Sequence, residues 1–466
     1  MKTADEIARA AGGSVVAGSK DAAVTSWAFD SRALERGACF VAVRGDRDGG
    51  DFVADAFDAG AHVALVSRPS PPIVPPAGAA VVEVDDSLLG LQAVARADRR
   101  ARSELRVVGV TGSTGKTSTK DLLAAMLAPL GCYASPASHN NEFGLPITLL
   151  NAPADVSVVV AEMGERFAGD IAALCEIARP ETGVVTNVGL AHAEHLGGPE
   201  GAARVLGELI DALPAGGLAV LNADDEWTPS LLERATSVGV TAVTVGRSAG
   251  ADYRIEGLEL DAQLHPEFVL HGQRVVVPLH GEHQASNAAL ALVVAHRGFD
   301  IALDAAAASM AAARPAPWRL QLQRHDDGVV VLNDAYNANP TSLDAALRAL
   351  AQVDTGGRRI AILGDMRELG PYADDAHAAV GRRAAELNID IVIGVGAGGR
   401  LIAEAASGLQ VRTATDAADA LRIAVEIVEP GDAVLVKASR AVGLEIVAAG
   451  LLSRVGSVAP QRGAPS

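Results

Sequence analysis

Gly109-Val-Thr-Gly112-Ser-Thr-Gly115-Lys116-Thr117-Ser118-Thr119 follows the apolar run Arg106-Val-Val-Gly-Val110 and precedes a helix-like segment, Asp121-Leu-Leu-Ala-Ala-Met-Leu-Ala-Pro-Leu130. Strand, glycine loop and helix in that order make a phosphate cradle, because successive backbone N–H groups and the helix N-terminus point at one anion. Gly112, Ser113, Thr114, Gly115, Lys116, Thr117 and Ser118 are expected to form it. Lys116 can neutralise β- and γ-phosphates, and the Thr117 hydroxyl can reach Mg²⁺. The strict G-x-x-x-x-G-K-[ST] spacing requires glycine at position 110; Val110 stands there, and the glycine comes one residue early, as Gly109. That offset narrows the choice among phosphate loops. An ordinary glycine-rich turn is the competing reading, and it leaves the Gly-Lys-Thr without a role.

Outward from this loop the pattern continues. Val156-Ser-Val-Val-Val-Ala161, Gly183-Val-Val-Thr-Asn187 and Gly217-Leu-Ala-Val-Leu-Asn222 read as buried strands separated by helix-period segments. Such runs suggest a parallel sheet covered on both faces, with ligands beyond the carboxyl ends of its strands. Before it, Ala38-Cys-Phe-Val-Ala-Val43, Ala61-His-Val-Ala-Leu-Val66 and Ala79-Ala-Val-Val-Glu-Val84 are strand-like, with the proline-rich loop Arg68–Pro76 inside the same unit. After it, Arg314-Pro-Ala-Pro-Trp318 reads as a hinge whose prolines stop an alanine-rich helix. Gly328–Asn333, Arg359–Leu363, Ile389–Ile393 and Ala433–Val436 then build a further α/β layer. The expected fold is α/β in three domains: a small N-terminal α/β domain (1–100), a central P-loop-type parallel-sheet domain (101–313) and a C-terminal Rossmann-like α/β domain (314–456). The tail 457–466 is expected to be disordered.

Bulk properties set limits on function. The 466 residues suffice for about three domains. The formal net charge is −18 with no basic block, which argues against nucleic acid or an anionic membrane as a partner. An anionic substrate therefore needs a local positive pocket. Cys39, Cys132 and Cys175 are odd in number and widely spaced, which fits a reducing compartment. The N-terminus lacks signal-peptide layout, and no apolar run approaches the ~18 residues of a membrane span. A cytoplasmic protein, and a monomer, is expected. The lysines are Lys2, Lys20, Lys116, Lys120 and Lys437 only.

Several other residues carry potential chemistry. Glu162 ends a strand beside the phosphate loop and is a natural Mg²⁺ ligand, or else a loop cap. His192, in Thr186-Asn-Val-Gly-Leu-Ala-His192, follows the next strand; it is either a ligand or structural, and His195 stands close by. Asn140 and Asn141 precede a glycine and read as a turn or as a polar-ligand site. Asp334, Asn337 and Asn339 crowd one loop after a third-domain strand, which favours a ligand. Arg319 follows the hinge, where domain closure brings it to phosphates; the alternative is a surface ion pair. Lys437 and Arg440, after the last strand, suit a carboxylate or phosphate.

With these motifs in view, the chain resembles the Mur ligases over nearly its whole length. The resemblance is carried by Phe29-Asp-Ser-Arg32, Cys39–Gly45, Asp48–Phe52, the offset phosphate loop, Asn140-Asn141, Glu162-Met-Gly164, Asn187–His192, Leu221–Asp225 and His283–Asn287. In the third domain it rests on Trp318-Arg-Leu, Asp334–Pro340, Leu363–Gly370 and Lys437-Ala-Ser-Arg440. The Tyr-Asn-Ala-Asn-Pro and Leu-Gly-Asp-Met segments point to the member activity that joins D-alanyl-D-alanine to UDP-N-acetylmuramoyl-tripeptide. The resemblance implies ATP and Mg²⁺ as cofactors. A substrate carboxylate attacks the γ-phosphate, and the dipeptide amine displaces phosphate from the resulting acyl phosphate. It also implies that Lys116, Glu162 and His192 are catalytic, with Thr117, Glu162 and His192 at metal. Asn287, Arg319, Asp334 and Asn337 would hold the nucleotide. Ser31 and Arg32 would take the uridine end of the substrate, and Asn140, Asn141, Asn339, Lys437 and Arg440 other substrate groups.

The pattern breaks at one position. The family places a carbamylated lysine where this chain has Leu206, in Ala202-Ala-Arg-Val-Leu-Gly-Glu208. Leucine neither carbamylates nor binds metal, and Arg204 stays protonated. Either Leu206 is a core residue, with Glu208, Glu194 or water supplying the missing ligand, or the chain is a non-catalytic ATP- and substrate-binding homologue acting as a scaffold. Gly50, where the family commonly has His, and Ala438, where it has Gly, are lesser departures.

Overall fold

The computed structural model describes residues 1–45, 48–68, 73–314 and 316–453. The tail expected to be disordered, Pro315 of the proline hinge and 69–72 of the proline-rich loop lie outside the described residues.

Beside a two-stranded antiparallel pair, Lys2–Thr3 with Ala23–Val24, three larger sheets follow one another along the chain. The first has five strands, in the order Ser14–Gly18, Ala80–Val84, Val63–Ser67, Ala38–Val41 and Ser26–Ala28. The second has nine: Gln273–Val276, Pro266–Leu270, Tyr253–Leu260, Thr241–Gly246, Leu218–Asn222, Thr182–Val185, Arg106–Thr111, Val158–Glu162 and Cys132–Ala134. The third has six: Gln321–Arg324, Val330–Asn333, Ala433–Lys437, Arg359–Gly364, Ile391–Val395 and Gln410–Ala414. Among the described residues, no helix is long and apolar enough to cross a membrane.

The apolar runs pair in parallel because both of their faces are covered. In the strand Arg106–Thr111, Val108 and Val110 pack with Leu122, Met126, Ala288 and Leu292 of the helices Lys116–Leu127 and Gln284–Val293. Val107 points the other way, into a cluster with Leu145, Leu174 and Val205. A period of two with both sides apolar is what a buried parallel strand requires.

The second sheet is not parallel throughout. Tyr253–Leu260, Pro266–Leu270 and Gln273–Val276 pair antiparallel at its edge. These strands alternate buried and exposed positions, so only one face needs a core. Gln321–Arg324 is likewise an antiparallel edge, against Val330–Asn333.

The strand order decides where ligands can sit. Arg106–Thr111 lies between Val158–Glu162 and Thr182–Val185, so Thr111, Glu162 and Val185 end side by side. In the third sheet Ala433–Lys437 lies between Val330–Asn333 and Arg359–Gly364. Its ends bring Asp334 and Lys437 together. The two sets of carboxyl ends meet across one cleft, where Asn339 Nδ2 donates to the Ser113 carbonyl at 3.3 Å.

Candidate functional site

The phosphate loop is held open by backbone that only glycine adopts readily. Gly112 has φ +136° and Gly115 φ +80°. A Cβ on Gly112 would lie 2.0 Å from Thr186 Oγ1, and one on Gly115 2.3 Å from Asn287 Oδ1. Asn187 fixes the loop from the neighbouring strand end: its carbonyl accepts from Ser113 N–H at 3.0 Å and its Oδ1 from Thr114 N–H at 3.0 Å. The helix Lys116–Leu127 then begins at Gly115 with no side-chain cap, so its first N–H groups are free for an anion.

Two adjoining cavities, about 410 and 480 Å³, share a wall of Ser113, Thr114, Gly115, Arg319, Tyr336 and Asn337. Asp225, His283, Asn287, Asp334 and Lys437 line the first; Lys116, Thr117, Asn140, Glu162, His192 and Arg440 line the second. A larger cavity of about 820 Å³ lies away from this cleft, beside Arg96, Arg99 and Arg179. Arg99 there spends its donors on the carbonyls of Ala178, Arg102 and Arg179 and on Glu181, which makes it a tie between helix ends.

Glu162 and Thr117 are both buried. The Thr117 hydroxyl donates to Glu162 Oε2 at 2.8 Å, and Asn140 Nδ2 donates to Oε1 at 2.9 Å. The strand end is anchored by Glu162 N–H on Ser135 Oγ at 3.1 Å. A buried carboxylate beside a hydroxyl and a phosphate cradle is an all-oxygen donor set. Lys116 Nζ bonds the carbonyl of Gly112 and lies 3.3 Å from Glu165 Oε2.

Arg319 reaches across the cleft. Its Nη2 donates to Ser138 Oγ at 3.0 Å, and its guanidinium stacks 4.1 Å over the Tyr336 ring. Lys437, 2% exposed, lies 2.7 Å from Asp334 Oδ2 and donates to the Asn337 carbonyl at 2.7 Å. Asp334 Oδ1 accepts from Leu320 N–H at 2.9 Å. Asp334 and Lys437 thus brace the hinge and the loop as well as lining the cavity. Arg440 stacks 4.5 Å from the Trp318 ring centre and pairs with Glu445 at 2.7 Å.

His192, at φ +51°, presents Nδ1 to Glu368 Oε2 in a close contact, and Glu368 also meets Arg166 at 3.0 Å. Among the described residues, no group of three His, Cys, Asp or Glu side chains converges as a metal site. Leu206 is fully buried with Val185, Ile210, Leu221 and Leu231. Glu208 accepts from Gly169 and Ala172 N–H at 2.9 and 3.0 Å, so its carboxylate caps a helix. Glu194 is exposed.

His283 is half-buried in the cavity wall, and burial drives its imidazole from 6.5 down to about 4. Gln284 Nε2 lies 3.1 Å from His283 Nε2, and Nδ1 is buried without a partner. Burial also raises the Asp225 carboxyl; Asp225 accepts from Val188 N–H at 2.7 Å and from Trp227 N–H at 2.9 Å.

Of the residues singled out from the sequence, the cleft gathers the phosphate loop with Asn140, Glu162, His192, Asn287, Arg319, Asp334, Asn337, Asn339, Lys437 and Arg440. Asn141 is spent locally, accepting from Gly144 N–H at 2.9 Å. Arg32 pairs with Asp30 at 2.7 Å in the first unit, and neither it nor Ser31 lines these cavities. Glu165 and Glu368 were missed. Each carries no local signature: Glu165 matters through Lys116, 49 residues away, and Glu368 through His192, 176 residues away.

Comparison with known proteins agrees with this geometry. Residues 110–295 match the Mur ligase middle domain, and residues 318–440 the Mur ligase glutamate ligase domain. The chain is 40% identical to the UDP-N-acetylmuramoyl-tripeptide--D-alanyl-D-alanine ligase of Mycobacterium bovis, covering 93% of each chain. It superposes on a crystal structure of MurF from Acinetobacter baumannii with a TM-score of 0.84 at 28% identity, covering 97% of this chain and 99% of that one. MurF of Thermotoga maritima, solved in complex with ADP, gives 0.77 at 29% identity over 92% and 97%.

Proposed function

Because the chain belongs to the Mur ligase family, we propose that it joins D-alanyl-D-alanine to UDP-N-acetylmuramoyl-tripeptide at the expense of ATP. The observation that carries this reading is the cleft itself. A phosphate loop with an uncapped helix N-terminus faces Arg319, Tyr336 and Asn337 from the third sheet. Whole-length likeness to proteins of this name supports the choice of substrates.

The loop N–H groups and Lys116 hold the β- and γ-phosphates, and Arg319 supplies a second positive charge from the far wall. The tripeptide carboxylate attacks the γ-phosphorus, the bond to the β-phosphate oxygen breaks, and ADP leaves, which forms the acyl phosphate. The free amine of the dipeptide then attacks the acyl carbon, and phosphate leaves. Asn140 orients Glu162, and Tyr336 holds the Arg319 plane over the cleft. Closure of the third sheet onto the loop excludes water, which would otherwise consume the acyl phosphate.

Thr117 and Glu162 fit Mg²⁺, which takes few protein oxygens and completes its shell with phosphate and water. Bound there, it would supply charge neutralisation at the transferring phosphoryl group. A second cation at His192 does not fit equally well. Glu368 contacts Nδ1 and leaves Nε2 alone to ligate, Leu206 offers no ligand, and Glu208 is committed to a helix cap.

The test is phosphate release with ATP, Mg²⁺, UDP-N-acetylmuramoyl-tripeptide and D-alanyl-D-alanine. Release that needs both co-substrates is expected. Nucleotide binding with no release under any combination would instead favour the scaffold reading.

A further inference from the structure

The phosphate-loop lysine does not point freely into the cleft. Its ammonium is bonded to the carbonyl of Gly112, inside its own loop, and paired at 3.3 Å with Glu165 Oε2. The Glu165 side chain has no exposed surface, while that of Lys116 keeps 14%. Glu165 Oε1 is buried with no hydrogen-bond partner. Glu162, three residues earlier, has both oxygens satisfied by Thr117 and Asn140. The two carboxylates are therefore differently employed: one is braced for the site, and the other is held to the lysine by a single contact.

We propose that Glu165 is a positioning residue that holds Lys116 and competes with the nucleotide phosphates for its ammonium. This rests on the reading of the loop as a nucleotide site. Transfer of Lys116 to a β/γ-phosphate breaks its pairing with a buried carboxylate that has no second donor. A buried charged group left unpaired is costly. Part of the phosphate–lysine attraction is spent on that exchange, so Glu165 weakens nucleotide binding and favours product release. Its effect runs through Lys116 alone.

Isothermal titration with ADP and with a non-hydrolysable ATP analogue, in Mg²⁺ and without co-substrates, tests this on the full chain. Glu165→Gln keeps the shape and removes the charge, and it should bind both nucleotides on the order of tenfold more tightly. Damage to the loop would change affinity in the opposite direction. Glu165→Asp, which keeps the charge, should stay within a few-fold of the unaltered protein, and the gain from Glu165→Gln should vanish in a Lys116→Met background. Unchanged or weaker binding by Glu165→Gln overturns the proposal, as does an equal gain with and without Lys116. If the unaltered protein binds no nucleotide, the nucleotide-site reading fails first, and the two failures are told apart.

Discussion

At the residue scale, Lys116 and His283 make separable predictions. Lys116→Ala removes the ammonium carried by the phosphate loop, and transition-state charge is where such a group matters most. Phosphate release should fall at least about a thousandfold, while circular dichroism and the unfolding midpoint stay close to those of the unaltered protein. Normal release by this variant would mean that the phosphate-loop assignment is wrong. His283 concerns stability. Its imidazole titrates near 4 in the folded protein and near 6.5 when free. Between these values the unfolded chain binds a proton that the folded chain refuses. Stability is therefore complete above pH 6.5 and falls as the pH drops toward 4. The full effect is roughly 3 kcal/mol, with about 2 kcal/mol already lost at pH 5. Urea unfolding of the unaltered protein and of His283→Gln at pH 7 and pH 5 measures it: the variant should lose less stability over this interval. Equal losses would place the titration elsewhere.

At the scale of elements, the helices around the cleft show which features are written locally. Asn339 caps the helix Pro340–Gln352 through Ser342 N–H at 2.9 Å, and its Nδ2 also reaches the Ser113 carbonyl. Asn339→Ala should cost about 1 kcal/mol of stability from the cap alone and raise the KM for ATP, because the loop loses its tie. A stability loss with an unchanged KM would reduce Asn339 to a cap. The helix Pro199–Leu206 makes the opposite point. By helical spacing alone, Ala202, Leu206 and Ile210 fall on one apolar face. Leu206 and Ile210 do share a cluster, but Ala202 belongs to another, because the helix ends at Gly207 before Glu208–Asp211 resumes. Leu206→Lys would bury an ammonium among Val185, Leu221 and Leu231. It should destabilise the protein by several kcal/mol without raising phosphate release, whereas Leu206→Met should stay within about 1.5 kcal/mol. A stable, more active Leu206→Lys would mean that this side chain faces the cleft. Parallel strands were legible because burial on both faces writes continuous apolar runs, as in Val158–Glu162 and Arg359–Gly364. Tyr253–Leu260 was not, since its one-sided burial mixes Arg254, Glu256 and Glu259 with apolar residues.

At the scale of the whole molecule, the cleft exists only because two sheets distant in sequence face one another. The loops that build it could be read one by one; their meeting could not, because no local pattern encodes a pairing such as His192 with Glu368. Ties across the cleft include Asn339 to Ser113, Arg319 to Ser138, and Glu368 to His192 and Arg166. Glu368 is the most exposed to test, since it touches neither the phosphate loop nor the hinge, and its own carbonyl also accepts from Glu194 N–H at 3.0 Å. If these ties hold the third sheet over the loop, Glu368→Ala should loosen the closed arrangement and admit water to the reacting centre. Ligation should drop about tenfold, close to 1.4 kcal/mol of transition-state stabilisation, while ADP affinity stays within about twofold because the loop is untouched. Small-angle scattering should show a larger radius of gyration in the variant, and a rise in phosphate released per amide bond formed would report hydrolysis of the acyl phosphate. Loss of ADP affinity equal to the loss of ligation would instead make Glu368 part of the nucleotide site. Unchanged dimensions and coupling would leave Arg319 and Asn339 as the ties that set closure.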